Sequence, residues 1–306
     1  MSEIVGPTSH FYVSQRLRLH YVDWGNREAP LLVLVHGGRD HARSWDWVAR
    51  ALRRDWHVVA PDLRGHGDSS WAIGGAYTVA DFVLDLANLV EALRADRIHL
   101  IGHSLGGAVS LVYSGVYPEQ VARLVAIEGV GPPPQLLARM RERKPWERMQ
   151  DWVEQTRNLA ARQPRRYPTL EAAAARMREE NAFLSEEQAL HLTMHGVIRN
   201  EDGTYSWKFD NYFRAFAPNR FDFEELRALW GRIACPTLLV RGSDSWAGDP
   251  EADGRIQAFR DARSVAIAKA GHWVHHDQLD AFLDVVRSFF AEGDPAESSE
   301  ADQAGK

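Results

Sequence analysis

The chain is 306 residues long, 45% hydrophobic and 25% charged, with 36 Lys and Arg against 42 Asp and Glu for a formal net charge of −6. That size exceeds an ordinary single domain and suits one large α/β domain carrying an insertion, while the acidic balance offers no basic footprint for nucleic acid or an anionic membrane. The single cysteine, Cys235, excludes an intramolecular disulfide and lacks the companions of a structural zinc site, which fits a reducing compartment.

The opening stretch, "MSEIVGPTSHFYVSQ", has neither a charged start with an apolar core nor a cleavage motif. No segment reaches the roughly 18 apolar residues of a membrane span, so a cytoplasmic location is expected. From Ser9 to Gly25 the alternation predicts a hairpin of half-buried strands. Apolar runs then recur at 30–38, 57–65, 97–104, 121–130, 236–244 and 263–272, the pattern of strands buried on both faces. Between them lie amphipathic stretches such as "SWDWVARALRRD" and "TVADFVLDLANLVEALRAD"; the second opens on Thr78 and Asp81, placed as a capping box with Asp for Glu. Strand and helix in alternation predict an α/β fold with a mostly parallel sheet and helices on both faces.

From Pro132 to about Arg232 the alternation stops. Consecutive helices are expected there, with "NEDGTYSWKF" as a small hairpin or loop over an Asp-Gly turn. The predicted organisation is a core in two parts, 1–131 and 233–292, a helical cap at 132–232, and a disordered acidic tail at 293–306. Ligands of open parallel sheets bind beyond the carboxyl ends of the strands, so a cap leaving from such an end covers the site.

Gly102-His103-Ser104-Leu105-Gly106 follows the 97–104 run and precedes a helix. A strand-to-helix turn that sharp lifts one hydroxyl out of the core and aims the Leu105 N–H above it. Serine needs a base to act as a nucleophile. His272, after the last apolar run in "AGHWVHHDQLDAF", is the candidate, with His275 and His276 as cap or helix-start residues. The imidazole in turn needs an acid. Asp244 in "VRGSDSW" is favoured because a short acid on a tight turn is held rigidly; Glu128 in "VAIEGVG" is the alternative and Asp249 a third. An oxyanion hole is expected from the N–H groups of Gly38 and Leu105, with Arg39 as an alternative second donor and His36 as a loop brace. Of the cap aromatics (Trp146, Trp152, Tyr167, Phe183, Tyr205, Trp207, Phe209, Tyr212, Phe213 and Phe216), most should pack the cap and some should line an apolar pocket. Arg39, His103, Trp207 and Phe209 are the expected substrate contacts, and Arg139, Arg141 and Arg143 the cap's solvated face.

"HGG" at 36–38, "PDLRGHGDS" at 61–69, "GHSLGG" at 102–107, "RGSD" at 241–244 and "GHWVHHDQ" at 271–278, in this order, resemble the α/β-hydrolase superfamily in its capped, epoxide-hydrolase-like branch. The resemblance implies an eight-stranded sheet, a Ser-acid-His triad in that chain order and neither cofactor nor metal. Asp62, Gly65 and Gly67 look like fold-shaping loop residues within it. Epoxide hydrolases and haloalkane dehalogenases of that branch carry an aspartate nucleophile where this chain has Ser104. An alkyl group on serine would be an ether with no easy exit, so acyl transfer is the chemistry that remains. The expected activity is that of a carboxylesterase-like serine hydrolase acting on a small or medium hydrophobic ester, lactone, thioester or vinylogous carbon–carbon bond. The alternatives are a cofactor-free perhydrolase or haloperoxidase and a non-catalytic ligand-binding protein. The expected partner is a small hydrophobic molecule, with no nucleic acid or membrane, and the chain a monomer or homodimer.

Overall fold

A computed structural model describes residues 6–292 apart from Ala76 and 216–219; the predicted tail at 293–306 and Phe216 lie outside the described residues. Strands β1 (Thr8–Ser14) and β2 (Leu17–Asp23) form the predicted hairpin, joined by Gln15 and Arg16, both at positive φ as a tight two-residue hairpin turn requires. The apolar runs become β3 (Leu31–Val35), β4 (His57–Pro61), β5 (Ile98–His103) and β6 (Val121–Ile127). A short hairpin, β7 (Val197–Arg199) and β8 (Tyr205–Trp207), stands apart, and β9 (Thr237–Gly242) and β10 (Ala262–Ile267) complete the main sheet. Its eight strands run β1-β2-β4-β3-β5-β6-β9-β10, with β2 antiparallel to both neighbours and every other pair parallel.

Two apolar layers cover this sheet, and β3 shows why its sequence reads as an unbroken apolar run. Leu31, Val33 and Val35 point into one layer and Leu32 and Leu34 into the other. The first layer packs against α2 (Val79–Ala92) and α3 (Leu105–Val116). The second packs against α1 (Asp46–Leu52), the short α9 (Val274–Asp277) and α10 (Leu279–Ala291). The Thr78–Asp81 capping box forms as predicted and opens α2: Asp81 N–H donates to Thr78 Oγ1 at 3.2 Å and Thr78 N–H to Asp81 Oδ2 at 2.9 Å.

Between β6 and β9 the chain leaves the sheet through α4 (Pro134–Glu142), α5 (Pro145–Ala160), α6 (Leu170–Glu180) and α7 (Glu186–Gly196), then the β7–β8 hairpin and a 3-10 turn at Asn211–Arg214. One helix inside the expected 132–232 cap belongs elsewhere. Helix α8 (Phe223–Trp230) lies on α3, where a Cβ on Gly115 would stand 2.3 Å from the Leu229 carbonyl, and its Trp230 is buried in the first layer. A run of amphipathic helices does not reveal which neighbour each one faces. No helix among the described residues is long and apolar enough to cross a membrane.

Candidate active site

Strand β5 ends at His103 and α3 begins at Leu105, so Ser104 makes the whole reversal. It sits at φ 51°, ψ −113°, a region that non-glycine residues avoid unless their surroundings enforce it. The enforcement is backbone-on-backbone packing. A Cβ on Gly106 would lie 2.2 Å from the Val35 carbonyl oxygen, and one on Gly107 2.7 Å from Gly129 Cα, so hydrogen alone fits at either position. Ser104 N–H donates to the Ile127 carbonyl at 2.8 Å, tying the turn to the end of β6.

The strand order places the candidates side by side: the loop after β3 carries Gly38, β5 leads to Ser104, β6 to Glu128, β9 to Asp244 and β10 to His272. His272 must reach back over roughly 14 Å of sheet, three strand spacings. His103 holds it there, its Nε2 donating to the His272 carbonyl at 2.9 Å. Across the imidazole lies Trp246, ring centroids 4.7 Å apart and planes at 30°. His272 Nδ1 stands 3.4 Å from Glu128 Oε2, and that carboxylate is fully buried. It is held from two sides, Oε1 accepting the Gly242 N–H at 2.7 Å and Oε2 the Ser245 hydroxyl at 2.8 Å. Glu128 itself takes φ 53°, which turns its side chain along the sheet edge.

The expectation that Asp244 partners the histidine is not met. Asp244 is exposed and accepts from the Ser243 hydroxyl at 2.8 Å. The turn bearing it is pinched against the loop from β10, since a Cβ on Gly242 would meet the Gly271 carbonyl at 2.2 Å. Asp249, the third candidate, is paired with Arg241 at 2.6 Å.

Ser104, Glu128 and His272 line one cavity of about 2400 Å³, together with Gly38, Leu105 and residues of the α4–α7 excursion. The N–H groups of Gly38 and Leu105 have no acceptor among the described residues. The Phe213 ring packs over Gly38, where a Cβ would lie 3.1 Å from its edge, and Arg39 follows with φ 65°.

A family profile described as the alpha/beta hydrolase fold matches residues 30–279. The chain belongs to the α/β-hydrolase fold family. Among curated proteins, this α/β hydrolase is 26% identical to a "Serine hydrolase-like protein" of Danio rerio over 92% of its own length and 89% of the relative's. It is 28% identical to a "2-hydroxy-6-oxo-2,4-heptadienoate hydrolase" of Pseudomonas putida over 90% and 93%. Among solved structures, the thioesterase domain from the curacin biosynthetic pathway superposes with a TM-score of 0.80 at 24% identity, covering 92% of this chain and 99% of that one. Family and relatives agree on a hydrolase.

Other predicted residues of the α/β hydrolase fall as follows. His36 is completely buried, donates from Nδ1 to the Gly37 carbonyl at 2.7 Å and accepts the Leu63 N–H on Nε2 at 2.9 Å. Burial pushes its pKa down to about 3, so it braces the loop as a neutral ring. Asp62 accepts from Ala42 N–H at 2.6 Å and Asp68 N–H at 2.9 Å and pairs with His20 at 2.7 Å; these bonds hold its carboxyl well below the usual range against the cost of burial. His103, expected to contact substrate, lines the cavity but is almost wholly buried, and its Nε2 donates to the His272 carbonyl, so it also braces His272. His275 and His276 are buried in α9, with Trp45 stacked on His275 at 4.4 Å. Trp207 and Phe209 stand in the cavity wall, as do Trp152, Tyr167, Phe183 and Tyr212. Arg141 and Arg143 are exposed at its border and paired with Asp222 and Asp151. Sequence reasoning passed over Ser245 and Trp246, which form no motif and follow directly on the Asp244 turn.

Two groups among the described residues bring three metal-ligating side chains within 4.8 Å, Asp46 with His191 and His195, and His20 with Asp62 and Asp68. The first group does not line the cavity, and of the second only Asp68 does. In the first, Arg43 already grips Asp46 through three contacts of 2.6–2.9 Å, which sets a guanidinium where a cation would sit. The second is the hydrogen-bonded loop brace just described.

Proposed function

We propose that this α/β hydrolase cleaves acyl bonds through an acyl-enzyme on Ser104, with His272 as general base and acid and Glu128 as the carboxylate that orients it. The observation that carries the reading is the buried Glu128 carboxylate facing His272 Nδ1, over a cavity that also exposes the Ser104 turn. A separation of 3.4 Å is loose for a hydrogen bond, and such contacts tighten when substrate closes the site.

With Glu128 accepting from Nδ1–H, His272 Nε2 is left as the lone pair that takes the Ser104 proton while Oγ attacks the substrate carbonyl. The negative charge that develops on the carbonyl oxygen is met by the free N–H groups of Gly38 and Leu105. Collapse breaks the bond to the leaving group, which takes the proton from His272. Water, losing a proton to the same nitrogen, then attacks the acyl carbon and returns Ser104 as the acid leaves. An aromatic cavity wall, with Trp152, Trp207 and Phe209, favours a small or medium hydrophobic acyl or aromatic group.

The test is hydrolysis of p-nitrophenyl acetate and butyrate by wild type and by Ser104→Ala. Loss of at least ~10³-fold in kcat/KM is expected, with a covalent acyl adduct seen by mass spectrometry only when Ser104 is present. Equal turnover by the variant removes the nucleophile assignment.

A further inference from the structure

Arginines crowd the cavity, and they are unequally neutralised. On the excursion, Arg141, Arg143 and Arg166 are paired with Asp222, Asp151 and Asp202, and Arg176 with Glu179 and Glu180. Arg162, at the end of α5, and Arg214, at the end of the 3-10 turn, line the same cavity without a carboxylate partner among the described residues. They lie close enough to Arg39 that these neighbouring cations, after burial, depress the Arg214 pKa. The one carboxylate near this group is Glu180, 3.6 Å from Arg39 and already 2.6 Å from Arg176.

Position gives the cluster its meaning. Arg39 directly follows Gly38, and Arg214 directly follows Phe213, whose ring rests on Gly38. Both residues are therefore anchored next to the groups that frame the N–H proposed to receive the reacting oxygen. Helix α5 buries no side chain of its own, yet Trp152, Gln155 and Leu159, spaced on one face, and Arg162, just past its end, all line the cavity. A cluster of like charges beside an apolar wall is costly when empty and is relieved by an anion that takes the forked donors.

We infer that the acyl substrate of the reaction proposed above carries an anionic group, a carboxylate or a phosphate, which docks on Arg162 and Arg214 beside Arg39. The inference rests on that reaction for its assay but not for its binding test. A carboxylate on the acyl side and phosphates on the leaving group are two sources of the same charge, and paired substrates separate them. The acyl-side pair is p-nitrophenyl hemiglutarate against its neutral methyl ester; the leaving-group pair is butyryl-coenzyme A against butyryl-N-acetylcysteamine.

At low salt one charged member should exceed its neutral counterpart by about tenfold in kcat/KM, mostly through KM, and the preference should fall to within about twofold in Arg162→Gln/Arg214→Gln. Both side chains are exposed, so the variant should fold. Ratios near one for both pairs in wild type, or a ratio unchanged in the double variant, overturn the inference. Binding is measured separately in Ser104→Ala by quenching of tryptophan emission, with glutarate against glutaramide and coenzyme A against pantetheine. Tighter binding of a charged member, abolished in the arginine variant, supports the inference even if no ester is cleaved; equal or absent binding of both overturns it. Failure of wild type to turn over any of the four substrates counts against the acyl-transfer reading and leaves the binding result to decide this one.

Discussion

The turn at Ser104 and the helices above it are built in opposite ways. Around the turn, backbone touches backbone: Gly102, Gly106, Gly107 and Gly129 admit no Cβ, and Ser104 is locked at φ 51° by atoms that cannot move singly. Over it, α5 buries no side chain, and the excursion carries exposed ion pairs such as Arg143–Asp151 and Arg166–Asp202, which contribute little and are weakened by salt. Steric constraint fixes the turn that carries the proposed nucleophile, whereas weak and replaceable contacts line the space above it. The first arrangement tolerates almost no substitution, and the second can be retuned one charge at a time.

The sharpest way to break this comparison is at the junction between strand ends. If the rigid edge sets the chemistry, Glu128→Gln should cost on the order of 10³–10⁴ in kcat, because an amide can fix the wrong imidazole tautomer and cannot stabilise the cation. Asp244→Asn, altering an exposed carboxylate that among the described residues is bonded only to its neighbour Ser243, should stay within about threefold. The opposite ranking, in steady-state kinetics on a nitrophenyl ester, would return the acid role to Asp244.

Gly106→Ala tests the steric half. The added methyl would stand 2.2 Å from the Val35 carbonyl and 2.5 Å from that of His36, contacts that only a shift of α3 or β3 can relieve. A loss of about 3 kcal/mol or more in denaturant unfolding is expected, with loss of turnover in whatever remains folded. Alanine at Gly131, which has open space around it but φ 77°, should cost only about 1 kcal/mol.

These two regions were not equally legible in the sequence. Ser104 and its glycines could be read because close packing demands particular residues at fixed local spacing, and the sheet because strands buried on both faces leave unbroken apolar runs. His272 could be read from its place after the last run. The acid could not. Glu128 and Asp244 end adjacent strands, and which of them faces the imidazole depends on a positive φ at Glu128 and on the pinching of Gly242 against Gly271, neither of which has a local signature. The same limit hid the layer of α8 and the bracing role of His103, each decided by a partner more than a hundred residues away. The cavity arginines read as an ordinary solvated face because pairing is a property of three-dimensional neighbours, not of charge spacing.

A smaller effect tests whether the rigid edge also stores electrostatic cost. Asp40, next to Arg39, is buried; its Oδ1 accepts the His41 N–H at 2.9 Å, and the Ser44 hydroxyl lies beside its carboxyl. Burial pushes its pKa up to about 6 from an ordinary 3.8. The folded chain therefore holds this proton more tightly than the unfolded one, and the sign follows: stability falls as pH rises from about 4 to 6, and the full penalty is present above that window. Asp40→Asn keeps the Oδ1 acceptor and removes the charge. It should raise stability by about 3 kcal/mol at pH 7, leave it nearly unchanged at pH 4, and flatten the difference curve above pH 6. Removing one member of the exposed Arg143–Asp151 pair should leave the unfolding midpoint unchanged within error at either pH. Unfolding curves at pH 4, 5, 6 and 7 for both variants would show this. A pH-independent Asp40→Asn difference would mean that the edge is rigid without being electrostatically strained.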